Sequence, residues 1–338
     1  MKNTSFYILA LCAILGFSAC EKAILDPQPA NTKQAIFEQV WKFADEKYSF
    51  FDLKKIDWAK VKTQYQAKVS ENMTDAELFK VCGDMLYELK DGHVNLRSDF
   101  DRSRNWSWFL NYAPNFDKNL IERNYYKDKQ KFVGAFEYFD FGDVAYVYYG
   151  SFSDGFSKEN LDFIVNEAKN KKGIIIDIRD NGGGASDNIP LLAERFCAAK
   201  TKIGEDWAKN GVAHDAFEKN TTYLAPNADV TKLLDKPVVV LTNRHVYSAA
   251  TFFSYTMKQL PNVTLIGDTG GGGGGVPTYT ELSNGWILRA SSTQTFDNQG
   301  FNIEQGVPPT IKIDMDDATT KLGKDAILER GLKFIREK

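Results

Sequence analysis

The residues of this chain that could do chemistry are few. One is Ser248, in Leu241-Thr242-Asn243-Arg244-His245-Val246-Tyr247-Ser248-Ala249-Ala250, where an apolar run gives way to a turn and then to a helical pattern. That order puts Ser248 at a helix start, where the dipole favours an anion and the next backbone N–H can donate to an oxyanion. The placement suits a nucleophile, and it equally suits an N-cap serine. A serine hydroxyl needs a base, and a histidine with its ordinary pKa of about 6.5 fits the task. The chain has three: His93 in Leu89-Lys90-Asp91-Gly92-His93-Val94-Asn95-Leu96, His214 in a polar stretch that reads as surface, and His245, three residues from Ser248 and the rival to His93. A further segment, Asp177-Ile178-Arg179-Asp180-Asn181-Gly182-Gly183-Gly184, is a buried strand that breaks into glycines before a helix. Open α/β sheets place their sites at such strand ends, and glycine lets backbone N–H groups turn toward developing negative charge.

The elements that must position these residues follow from periodicity. From Thr32 to about Leu89 the spacing is helical, with Ile36, Val40, Phe43 and Ala44 in one run, and Ala76, Phe79, Met85, Leu86 and Leu89 in another that Thr74 caps. From Phe132 the period falls to two, with strands over Val133–Phe141 and Asp143–Tyr149. The chain then alternates: helix Leu161–Ala168, strand Gly173–Arg179, helix Asn188–Ala199, strand Pro237–Thr242, helix Ala249–Leu260, strand Val263–Gly267. Continuous apolar strands separated by helices predict parallel pairing with both faces covered. The Asn284-Gly285 pair predicts a hairpin joining Tyr279–Leu282 to Trp286–Ala290, and a last helix spans about Asp325–Glu337. The expected class is α/β (mixed α+β): a helical N-terminal domain over residues 32–100, then a mainly parallel sheet flanked by helices over residues 101–338.

Read together, Asp177–Gly184, Leu241–Ala250 and Gly267-Asp268-Thr269-Gly270-Gly271 resemble the core of the tail-specific (C-terminal-processing) and tricorn-type serine peptidases, from roughly Leu78 onward. The resemblance implies a crotonase-like or ClpP-like core and a serine endopeptidase acting on peptides or proteins without a cofactor. Ser248 matches the nucleophile, Gly183 and Ala249 the oxyanion-hole amides, and His93 the base of the tricorn branch. Glu304, in Asn302-Ile303-Glu304-Gln305-Gly306-Val307-Pro308-Pro309, matches the acidic residue near the end of that core. The departures matter too. Glycine fills the place of the tail-specific Lys base, and Lys258 lies before it, which disfavours a Ser–Lys dyad. The interval from His93 to Val144 is too short for the PDZ domain of that branch. Gly92 replaces the serine that precedes the tricorn histidine, so Glu304, Asp91 or a water is left to orient His93. For that reason a catalytically inactive lipoprotein holding peptides or an apolar ligand is the alternative reading, and an esterase a weaker one.

Two stretches have double readings. Gly270–Gly275 is six consecutive glycines that end in Val276-Pro277, without the Lys and Ser/Thr of a phosphate loop. It is a loose connector, a lid, or backbone that must approach something closely. Trp106, Trp108, Phe109 and Tyr112 line a subsite or belong to the core.

Composition narrows the partners. Of 338 residues, 42 are Lys or Arg and 45 Asp or Glu, for a net charge of -3, which argues against nucleic acid. With 43% hydrophobic residues the chain can bury a large core. Residues 1–19 read as a signal peptide: Lys2, an apolar run Phe6–Phe17, then Ser18-Ala19-Cys20. The last residues resemble a bacterial lipobox, with Cys20 carrying lipid and residues 20–31 a tether, which predicts a cell-envelope lipoprotein of the outer membrane facing the periplasm or the cell surface. With Cys12 lost with the signal, Cys82 and Cys197 remain, each in an apolar context that favours a buried free thiol. No spacing of Cys and His frames a metal site.

Overall fold

A computed structural model of the protein describes residues 30–338. The expected signal peptide, Cys12, Cys20 and most of the tether lie outside the described residues. In chain order the strands are β1 (Asn95–Arg97), β2 (Arg102–Arg104), β3 (Lys131–Val133), β4 (Phe136–Asp140) and β5 (Val144–Tyr148). They continue with β6 (Gly173–Asp177), β7 (Thr201–Lys209), β8 (Phe217–Leu224), β9 (Val238–Thr242) and β10 (Val263–Gly267). The last are β11 (Pro277–Glu281), β12 (Ile287–Ser291), β13 (Thr293–Asp297) and β14 (Ile311–Lys312).

The central sheet has the order β14-β10-β9-β6-β5-β4-β3, with β14 to β5 parallel and β4 and β3 antiparallel. Every residue of β6 and β9 is buried. Successive side chains of a strand point to opposite faces. Ile174, Ile176, Val238 and Val240 therefore join a core with the helices Lys158–Lys169 and Ala249–Lys258, while Ile175, Val239 and Leu241 pack on the helix Ala326–Arg336. Two covered faces require uninterrupted apolar strands, which is the pattern the sequence carries. The predicted helix over Asn188–Ala199 is shorter, Asn188–Ala193 with a single tight turn after it, because Cys197 is extended. Cys82 and Cys197 are buried free thiols, and burial pushes the Cys82 thiol up to about 12.

The end of β6 is anchored by charge. The buried Arg179 guanidinium bonds Asp177 at 2.6 Å and Asp325 at 2.8 Å, and lies over the Phe116 ring at 4.3 Å. Asp325 also caps the helix Ala326–Arg336 through Leu328 N. Breaking a buried pair of this kind costs about 3–5 kcal/mol, so the Asp177-Ile178-Arg179 part of the motif is a brace for the glycines that follow.

The N-terminal helices Lys33–Lys47 and Asp75–Tyr87 start from Thr32 and from a Thr74/Glu77 capping box. They cover an antiparallel sheet of order β11-β12-β1-β2. Leu282, Trp286, Leu288 and Ala290 share one buried cluster with Ile36, Val40 and Leu86, so this layer is not closed within residues 32–100 but completed by the predicted hairpin. A third sheet, β13-β7-β8, has no counterpart in the sequence reading.

The glycine run is neither a loose connector nor a lid. All of Gly270–Gly275 is buried. A Cβ at Gly273, where φ is +73°, would sit 2.6 Å from Tyr247 Cζ, and one at Gly275 2.8 Å from Phe50 Cε2. Gly285, at φ +81°, has open space around its hypothetical Cβ. Both substitutions to alanine pay the left-handed strain of roughly 1–2 kcal/mol, but only Gly273→Ala adds overpacking of about 1–3 kcal/mol. Chemical denaturation should rank Gly273→Ala well below Gly285→Ala in stability; equal losses would refute the close packing.

Candidate active site

Ser248 sits between β9 and the helix Ala249–Lys258 with φ 56° and ψ -126°, a conformation L-residues rarely adopt. Such strain costs about 1–3 kcal/mol and persists only where neighbours hold it. They hold it from both sides. Tyr247 N donates to Asn181 O at 3.1 Å, in the loop after β6, and Ser248 N donates to Gly272 O at 3.0 Å, in the glycine run. Gly271 N returns a bond to Val246 O at 2.7 Å. The turn is thus clamped between two glycine-rich segments that leave room for its backbone.

The Ser248 hydroxyl does not cap the helix. It meets His93 Nε2 at 2.9 Å. His93 is buried, 3% exposed, on the segment between the helix Asp75–Tyr87 and β1. Asp91 fixes that segment: its carboxylate accepts from His93 N at 2.7 Å, Ser291 Oγ at 2.8 Å and Tyr247 OH at 3.3 Å. Burial lowers the His93 pKa to about 4; the Asp91 charge opposes this, and the Arg289 and Arg104 charges add to it. The ring is therefore neutral at neutral pH and its Nε2 can accept a proton. Nδ1 is buried without a hydrogen-bond partner, although the Gly275 backbone acts on the ring as an acceptor would.

Gly92 has a steric reason. A Cβ there would lie 2.6 Å from Trp108 Nε1 and 2.8 Å from Tyr247 OH. The Tyr247 hydroxyl occupies the space where the tricorn pattern would put a serine side chain.

Glu304 lies in the same cluster but does not bond the imidazole. Its Oε1 accepts from Lys54 Nζ at 2.7 Å and its Oε2 from Gly274 N at 2.9 Å. Burial raises its pKa to about 7, with Asp91 adding to the rise and Lys54 opposing it. Ala249 is the first residue of its helix, so its N–H has no partner within the helix and adjoins Ser248. Gly183, at φ +97°, passes so close that a Cβ would lie 2.8 Å from Ser248 Cβ and 2.9 Å from Ala249 N. Its own N–H donates to Asn181 Oδ1 at 3.0 Å.

The remaining histidines are engaged elsewhere. His245 Nδ1 pairs with Asp180 at 3.1 Å, and its ring meets the Phe109 ring. His214 stacks on Phe51 and bonds Asp45 at 3.0 Å. The aromatic stretch is not core: Trp106 and Tyr112 are exposed, while Trp108 stacks on Tyr247 with centroids 4.1 Å apart. With Lys54, Arg244 and Glu304, Trp108 and Tyr112 line a cleft of about 290 Å³ beside Tyr247. Tyr247, Ser291 and Lys54 are site residues that the sequence reading passed over. Tyr247 adjoins Ser248 in a motif already singled out; Ser291 and Lys54 carry no local signal.

Comparison with known proteins gives the family. Residues 143–313 match the family model Peptidase family S41, and residues 29–87 match the Tricorn protease C1 domain. A crystal structure of a provisionally named peptidase from Parabacteroides merdae is 39% identical with a TM-score of 0.86, covering 90% of this chain and 97% of that one. The carboxy-terminal processing protease CtpA of Bacillus subtilis is 30% identical over 169 residues, 49% of this chain and 34% of its own. The tricorn protease of Thermoplasma volcanium is 28% identical over 174 residues, 51% of this chain and 15% of its own. The chain thus spans well under half the length of either protease. It belongs to peptidase family S41, among the tail-specific and tricorn-type serine peptidases.

Proposed function

We propose that the chain is a serine-type peptidase that cleaves peptide bonds through an acyl-enzyme. Ser248 Oγ attacks the carbonyl carbon while His93 Nε2 takes its proton. The tetrahedral oxyanion is held by the Ala249 amide at the positive end of its helix, and by the Gly183 amide as one branch of a bond shared with Asn181 Oδ1. The imidazolium then protonates the leaving amine, and water opens the ester by the same path reversed. Asp91 positions His93 and stabilises its cationic form, and Glu304 acts on the site through Lys54 and the Gly274 amide. The observation that carries this reading is the 2.9 Å approach of His93 Nε2 to Ser248 Oγ, across 155 residues of chain.

A fluorophosphonate probe on the mature chain tests it. Wild type and His245→Ala should label, and Ser248→Ala should not. Peptide hydrolysis should fall by several powers of ten, on the order of 10^4 to 10^6, in Ser248→Ala and His93→Ala. A wild-type chain that neither labels nor cleaves would leave only a ligand-holding protein.

The base form of His93 exists above its pKa, and that pKa lies at about 4 in the folded chain. The acidic limb of kcat/KM should therefore fall near pH 4, well below the position of about 6.5 expected for an exposed histidine. A limb at the ordinary value would contradict the burial of the base.

We also propose export and a lipid anchor at Cys20. Fatty-acid labelling in the producing cell should mark the wild-type chain and leave Cys20→Ala unmarked and released from membranes. Equal fractionation of the two would remove the anchor.

A further inference from the structure

The four-stranded sheet has two unlike faces. Leu96, Leu288 and Ala290 point into the helical core, and Ser103 meets Gly83 of the helix Asp75–Tyr87. Side chains of the other parity face away from the helices. They include Arg97, Arg102, Arg104 and Arg289. Arg97 lies directly opposite Arg102, Arg104 opposite Asn95, and Asn95 opposite Arg289. Four guanidinium groups thus share three adjacent strands, where neighbours are about 4.8 Å apart across the sheet and about 6.8 Å apart two residues along it.

Like charges placed opposite each other destabilise a sheet. The usual remedy is a carboxylate in ion-pair contact, and none of the four has one, although the buried Asp91 charge acts on Arg104 and Arg289 from within the layer. Among the described residues the arginine ion pairs are those of Arg179, Arg195 and Arg336. Glu281 shares the face but lies on β11, in register with Ile287 and two strands from Arg97. Asp101 is turned to its own turn, accepting from Arg102 N. Arg104 Nε donates to Gly92 O at 2.8 Å, and its guanidinium lies over Trp106 at 4.1 Å. The whole chain is mildly acidic, so this concentration does not reflect composition.

The face leads to the base. Ser291 has the parity of Arg289 on β12, and its hydroxyl holds Asp91, which holds His93 N. Gly92, which Arg104 grips, immediately precedes His93. Tyr279, directly opposite Arg289, is 77% exposed and offers an aromatic surface beside the charges.

We propose that this arginine face is a substrate subsite that selects peptides with acidic side chains to one side of the scissile bond. The inference rests on the peptidase reading above and adds the substrate class to it. An extended peptide presents alternate side chains at about the spacing of Arg102 and Arg104 along their strand. Its carboxylates accept paired N–H donors from guanidinium groups and relieve their mutual repulsion.

The test uses fluorogenic peptides matched in sequence, with Glu or Gln at alternate positions on either the amino or the carboxyl side of the cleavage point. For one side, the Glu peptide should be cut with a kcat/KM about tenfold above its Gln twin, as expected of charge-assisted contacts, and the advantage should shrink as salt is raised. The paired variant Arg97→Gln, Arg102→Gln should abolish the advantage, bringing the Glu peptide to the rate of its Gln twin measured with the same variant. Arg102→Glu should reverse it toward a Lys peptide. Equal rates for Glu and Gln peptides, or an advantage that survives these variants, overturn the subsite while peptide cleavage stands. Fluorescence anisotropy of the same peptides with Ser248→Ala gives a second readout. Tighter, arginine-dependent binding of the Glu peptide without turnover by wild type keeps the subsite and removes the peptidase. Absence of both removes both, and heparin binding at this face without acidic-peptide binding overturns the peptide assignment.

Discussion

The structure depends on a backbone held where an ordinary residue does not rest. Ser248 takes a positive φ between a buried strand and a helix, and relaxation would swing its hydroxyl out of line. Two carbonyl acceptors prevent that, Asn181 O on one side and Gly272 O on the other. Their placement explains both glycine-rich segments as one device. Gly183 in the loop after β6, and Gly270 and Gly273 in the run after β10, pass within contact distance of the turn between them, where a side chain would collide or be crowded. Arg179, between Asp177 and Asp325, fixes the first segment, and the Glu304 carboxylate fixes the second at Gly274.

Electrostatics on the histidine side follows from burial. Removing the ring from water disfavours its charged form more than Asp91 favours it, so the ring is neutral beside the Ser248 hydroxyl and becomes a cation only by taking up a proton. Asp91 is then already in place to stabilise the cation. Lys54 and Glu304 form a largely buried ion pair in the same cluster, each compensating the other's charge. The arginines of the outer sheet face make no ion pair of this kind, and that contrast separates charges serving the fold from charges facing outward.

Much of this was readable from residue order alone. Apolar runs such as Gly173–Arg179 and Pro237–Thr242 read as buried parallel strands because they are short, rich in β-branched residues, opened by Gly or Pro, and alternate with helical patterns. The turn before Ala249 singles out Ser248 for capping or attack alike, and only the resemblance of the surrounding motifs favours attack. The β13-β7-β8 sheet escaped notice because its strands are largely polar and mostly half-exposed, so they lack a clean alternation. The glycine run was ambiguous for a different reason. Glycine permits looseness and close packing alike, and only the surrounding Tyr247, Trp108 and Glu304 decide between them. The engagement of the Gly183 amide by Asn181 is likewise a three-dimensional fact with no one-dimensional trace.

The layer that holds His93 is built from both ends of the chain. Asp91 receives its hydroxyl from a residue 200 positions later, and Lys54 reaches its carboxylate across 250. A polypeptide still emerging from a ribosome has the histidine long before it has Ser291 or Glu304. Such a chain carries His93 without the groups that hold Asp91 and Lys54, so the site is complete only once the segment through Glu304 has been made.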